Sequence, residues 1–173
     1  MNVMSSQAFW LVGVLVVFIG SCCADSFADA PQSARSEIQS QYDMSNAAAS
    51  KGDVEGMLSK CAPDFTVIPL EGKTKDLASL RIRLGVITGF SSLKNSTTIE
   101  NVKLQDDGVV VEVSESLTVV TAGASQTSKF TFVYHCRDFW IHTPSGWREK
   151  RSRLLSSKSP DAATPDSVGL FHW

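Results

Sequence analysis

The stretch "CRDFWIHTPSGWREKRSR", Cys136 to Arg153, alternates bulky and polar side chains on either side of Pro144-Ser145-Gly146. Alternation with a period of two is strand chemistry and the Pro-Ser-Gly triplet is a turn, so the stretch reads as a β-hairpin. A two-residue loop at Pro144-Ser145 pairs Thr143 with Gly146; a four-residue loop pairs His142 with Trp147. Both give one register: Trp140 faces Glu149, Asp138 faces Arg151 and Cys136 faces Arg153. Strand side chains alternate, so these share a face with Phe130, Phe132 and Tyr134. His135, Arg137, Phe139, Ile141, Arg148 and Lys150 take the other. The expected inner wall is therefore Phe132, Tyr134, Asp138, Trp140, Arg151 and Arg153. In it, Asp138 and Arg151 are either the polar floor of an aromatic pocket or a structural cross-strand ion pair.

Upstream, "STTIENVKLQ" and "GVVVEVSESLTVVT" flank a turn at Asp107-Gly108, a hairpin signal. If Thr121 pairs with Gln126 in the next hairpin, Glu115 falls opposite Phe132 and Val109 opposite Asp138, which makes Glu115 a second inward acid. Before these strands the period is helical. Ile38, Tyr42, Ser45 and Ala49 recur at three and four within Ser33 to Lys51, and Gly52 is the stop. Asp53 caps a short helix with Val54, Met57, Leu58 and Cys61, ended by Pro63. Thr74 is the expected cap of a third helix carrying Leu77, Leu80, Leu84 and Ile87 and closing at Gly89. Three helices followed by an antiparallel meander predict an α+β fold with one sheet face covered.

The chain has 173 residues and a net charge of -2, enough for one core and without the basic footprint that nucleic acid or an anionic membrane requires. The apolar run Ala8 to Ile19, followed by small residues to Ala24, fits a secretory signal over residues 1–30, although Arg35 is the first basic residue. "IGSC", Ile19 to Cys22, resembles a bacterial lipobox, so lipidation at Cys22 and simple cleavage after Ala24 both stay open. Either predicts export, with membrane contact only through this segment or its lipid. The domain is expected over 31–156. Residues 157–173 read as a disordered tail with an apolar tip, Leu170, Phe171 and Trp173. Cys61 and Cys136 are either a disulfide or two buried thiols. No Cys/His spacing suggests a metal, and no cofactor is expected. "NST" at Asn95 is a glycosylation sequon.

The ordered set "SKGDVEGML", "APDFTV", a third helix, long antiparallel strands and a final "GW" resembles the nuclear transport factor 2-like superfamily, especially its SnoaL-like branch. That resemblance spans Ala34 to Ser156. It implies a cone-shaped α+β barrel in which a strongly curved antiparallel sheet wraps the helices around an apolar cavity, and often a homodimer through the sheet. It also implies functions from ketosteroid isomerase, polyketide cyclase and dehydratase to pure binding, so the fold does not fix the function.

In ketosteroid isomerases a general-base aspartate follows the strand matched by "DFTVIPLEG". Ile68, Pro69 and Leu70 stand there, and none can take a proton. SnoaL-like relatives often carry histidines on the strand after "GW", where Arg151 and Arg153 stand. Guanidiniums stay protonated and could clamp an anion instead. The expectation is an exported domain binding a small, partly apolar, acidic ligand. The alternatives are an isomerase, cyclase or dehydratase using Asp138 or Glu115 with Tyr42, or a dimeric protein-interaction module. His135 and His142 lack nucleophile partners and are expected at the surface.

Overall fold

A computed structural model of the chain describes residues 26–90, 92–122 and 127–158. The signal assignment up to Asp25, Cys22 and the tail from residue 159 lie outside them. Helix α1 (Ser26–Ala49) buries the stripe anticipated for it, Ile38, Tyr42, Ser45 and Ala49, with Ile38 and Tyr42 in the core shared with the sheet. It begins seven residues before Ser33. Gly52, at φ 68°, ends it in the left-handed conformation that glycine adopts without cost.

Asp53 caps α2 (Val54–Leu58), its carboxylate accepting from the Gly56 N–H at 2.9 Å. The helix stops short of Cys61 and Pro63, which instead open strand β1 (Cys61–Ile68). The Lys60 carbonyl accepts from the Glu149 N–H at 2.8 Å, so the chain has already joined the sheet there. Pro63 sits where the pairing of β1 slips between Cys61 and Thr66, a break that tolerates a missing N–H. After the two-residue β2 (Lys75–Asp76) comes α3 (Leu77–Phe90). Its cap is Asp76 rather than Thr74, accepting from the Ser79 N–H at 2.8 Å.

Strands β3 (Ser92–Gln105), β4 (Gly108–Ala122), β5 (Thr127–Thr143) and β6 (Gly146–Lys158) complete a curved, unclosed sheet in the order β2-β1-β6-β5-β4-β3. Every pair is antiparallel except β1–β6, which runs parallel. The helices lie N-terminal to the four long strands and cover the inner face. Gly108 marks a close approach, since a Cβ there would come within 2.1 Å of the Trp140 carbonyl oxygen.

Two registers differ from expectation. On β4–β5, Thr121 pairs with Ser128 rather than Gln126, so Glu115 faces Tyr134 and Val109 faces Trp140. The slip is two residues, which keeps every side chain on its expected face. On β5–β6, Thr143–Gly146, His142–Trp147 and Trp140–Glu149 pair as derived. Lys150 is then an extra residue: Phe139 pairs with Arg151, Asp138 with Ser152, Arg137 with Arg153 and Cys136 with Leu154.

This β-bulge moves Arg151 and Arg153 to the outer face and brings Ser152 and Leu154 inside, so the expected Asp138–Arg151 pair does not form. The exchange removes two guanidiniums from the interior, where each would carry a desolvation cost of several kcal/mol. Cys61 lies beside Glu149 and Cys136 beside Leu154, on the two flanks of β6. Strand rise alone separates them by more than roughly 10 Å. That is too far for a bond, and both thiols are free.

Candidate functional site

The inner face of β5 is built as the alternation requires. Phe132, Tyr134, Cys136, Asp138 and Trp140 are all buried. Not all reach open space. Trp140 packs edge-on against Tyr42 at 5.2 Å between ring centroids and, with Phe132, belongs to the solid core under α1. Beside that core is a cavity of about 160 Å³, walled mainly by apolar groups from α2, β1, α3, β4 and β6, including Leu58, Phe65, Leu84 and Leu154. Of the six expected wall residues only Tyr134 and Asp138 line it, joined by Glu115. Arg151 and Arg153 line a separate, more polar pocket of about 550 Å³ on the outer face with Arg137, Phe139 and Glu112.

Asp138, 2% exposed, is the polar centre. The Tyr42 hydroxyl donates to Asp138 Oδ2 and accepts from the Trp140 indole N–H at 3.2 Å, so α1 and β5 share one network. Asp138 Oδ1 is buried and has no hydrogen-bond partner of ordinary geometry among the described residues; Ser152 is its register neighbour on β6. Burial pushes the Asp138 carboxyl above its ordinary range, while the Lys60 charge and the Tyr42 and Ser152 hydroxyls oppose the rise. The Tyr42 phenol is pushed up by burial and by the neighbouring acids, Asp138 first.

A second buried group sits at the same end. The Lys60 ammonium pairs with Glu149, which is 1% exposed, and lies 4.8 Å from the Tyr42 ring centroid and 5.7 Å from that of Trp140. Burial pulls Lys60 down, but the acids around it, led by Glu149, carry it above its ordinary value. Burial pushes Glu149 up, with Lys60 opposing. Glu115 on β4 also rises through burial, countered by Lys60. Arg83 of α3 lines the cavity, its guanidinium drawn down by burial and supported by Tyr134. Burial raises both thiols, Cys61 to about 12, so neither is a thiolate near neutral pH.

Lys60 and Arg83 are the charged side chains of the cavity that sequence reasoning missed. Lys60 stands at the junction where helical period gives way to strand period, so no face could be assigned to it. Arg83 flanks the stripe of α3, three residues after Leu80 and four before Ile87, a position from which a long side chain reaches inward. Glu149 was readable, since its register partner is Trp140. A buried carboxylate opposite a tryptophan signals a hidden cation.

The histidines stay away from the cavity: His135 lies 3.6 Å from Glu100 at the surface, and His142 packs edge-on against Trp147 at 5.1 Å. Asn95, the sequon residue, donates to Asn46 Oδ1 at 2.8 Å and lines the cavity. Ile68, Pro69 and Leu70 offer no acid, and Leu70 is half exposed.

No family model and no curated protein matches the chain. Solved structures do. A conserved protein from Planctomyces limnophilus aligns with a TM-score of 0.65 at 12% identity over 75% of this chain and 99% of that one. A nuclear transport factor 2-like protein with a cystatin-like fold from Novosphingobium aromaticivorans gives 0.58 at 14% identity over 90% and 99%. A protein from Streptomyces avermitilis described as a candidate dehydratase of the nuclear transport factor 2-like family gives 0.58 at 13% identity over 76% and 99%. With the curved sheet, the helices on its inner face and the cavity between them, these alignments establish that the chain has the nuclear transport factor 2-like fold.

Proposed function

We propose that this chain binds a small, partly apolar molecule in the interior of its cone, with the polar part of that molecule at Asp138. The observation that carries the reading is a cavity of about 160 Å³ with largely apolar walls and one buried carboxyl oxygen without a partner. A cavity of about 150 Å³ lined by aliphatic and aromatic groups accepts benzene, so the ligand is of single-ring size. The expectation of an acidic ligand rested on Arg151 and Arg153 and loses that support with both on the outer face. Export, supported by the run Ala8 to Ile19, belongs to the same proposal. So does a homodimer through the outer sheet face, where Arg151 stacks 5.6 Å from the Phe139 ring centroid.

Native mass spectrometry of the purified chain, with thermal-shift screening of ring-sized compounds, tests the binding. Leu84→Trp, which fills the cavity, should abolish every shift. Shifts that survive it would place binding elsewhere.

The raised Asp138 carboxyl, held by Tyr42, also supports a second reading as a general acid or base. The resemblance to a protein described as a candidate dehydratase points the same way. If so, Asp138→Asn abolishes turnover even at concentrations that saturate the variant with the bound compound.

A further inference from the structure

The interior is unbalanced in charge. Three carboxyls, Glu115, Asp138 and Glu149, line the cavity against two cations, Lys60 and Arg83, and Lys60 is engaged by Glu149. Among the described residues, Asp138 Oδ1 is left buried without a hydrogen bond, as is Asn95 Oδ1 on strand β3. Both line the same space, so these two acceptors call for a donor. Among the described residues, Glu115 accepts a long hydrogen bond from Thr97 Oγ1, at 3.5 Å.

Resting on the binding reading above, we propose that the ligand carries a protonated amine, seated between Asp138 and Glu115 with its apolar ring against Leu58, Phe65 and Leu84. An ammonium supplies three donors and a positive charge that favours the ionised carboxylates in one group, and charge-assisted bonds are the stronger kind. A carboxylate would instead bring a fourth acid among three buried carboxyls and supply no donor once ionised. A neutral alcohol would supply a donor but leave the charge unbalanced.

The groups facing Asp138 and Glu115 are Tyr42 from α1, Lys60 and Cys61 at the start of β1, Arg83 from α3, Tyr134 and Cys136 from β5, and Glu149 from β6. Near neutral pH the phenols and thiols, all raised by burial, stay protonated. The pH response therefore belongs to the carboxyls. An ammonium favours their ionised forms, so its binding expels protons and tightens as pH rises through their range.

The matched probes are benzylamine, benzyl alcohol and benzoate, titrated calorimetrically into the full chain at several pH values and in buffers of different ionisation enthalpy. Benzylamine should bind roughly tenfold or more tightly than benzyl alcohol, with proton release, and benzoate least. Asp138→Asn, which keeps an oxygen for Tyr42, should bring benzylamine down to the level of the alcohol. Glu115→Gln should do so in part, and gives an independent variant if the first does not fold. Benzoate or benzyl alcohol binding as tightly as benzylamine would overturn the amine while leaving the pocket standing. Absence of binding by all three would overturn both.

Discussion

The two faces of the β5–β6 pair carry opposite chemistry from one run of sequence. The inner face holds Asp138 and Glu149 among Tyr134, Cys136, Trp140 and Leu154; the outer face holds Arg137, Arg151 and Arg153. What divides them is one extra residue, Lys150. Without that bulge the same sequence would set Arg151 against Asp138 and close the acid off with a guanidinium. With it, the acid is left to Tyr42 and to the cavity. A single unpaired residue thus decides which charges a site contains, because the side-chain period of a strand is two.

The sharpest way to break this contrast is to move the dividing line. Deleting Ser152 carries Arg153 to the inner face opposite Asp138 and turns Leu154 outward. Burying that charge and losing the leucine should cost at least about 4 kcal/mol, read as a loss of the cooperative denaturant transition. Deleting Lys150 instead removes this bulge and leaves every later residue on its present face. It should fold, at a cost near the exposed Lys150–Asp64 pair it removes, about 0–1 kcal/mol. Equal losses from the two deletions would contradict the bulge.

Next in size is the inner ion pair. Lys60→Met leaves Glu149 buried without its cation and should cost about 3–5 kcal/mol, while Lys60→Met with Glu149→Leu should recover most of that. A double variant no better than the single would show that the pair itself, rather than an orphaned charge, carries the stability. Smallest are the outer arginines: Arg151→Ser and Arg153→Ser should each change stability by no more than about 0.5 kcal/mol.

Much of this arrangement was legible in the sequence, and the failures share a cause. The α+β order, the inward stripe of α1 and the inner face of β5 follow from periodicity, which averages over many residues. Glu115 kept its face although its partner was misread, because an error of two residues is invisible to alternation. Arg151 and Arg153 were misplaced because a bulge is an error of one, and no local residue type announces it. Lys150 has no glycine beside it and is polar like its neighbours. The ends of α2 and α3 were set by what joins the sheet next, which no capping rule sees.

The inner acids also leave a signature in the pH dependence of stability. A carboxyl whose folded pKa is raised binds its proton more tightly when folded, so stability falls as pH rises from the ordinary carboxylate value toward the raised one. Asp138 and Glu115 both act in this direction. Glu115→Gln should flatten part of that slope.

Carbon-detected NMR titration of the Asp138 carboxyl, in the parent chain and in Arg151→Ser, tests the account most directly. The account predicts a midpoint above the ordinary value of about 3.9, unchanged by the substitution. A midpoint at or below that value which rises in Arg151→Ser would mean that the arginine faces the acid, and the division of charge between the two faces would be wrong.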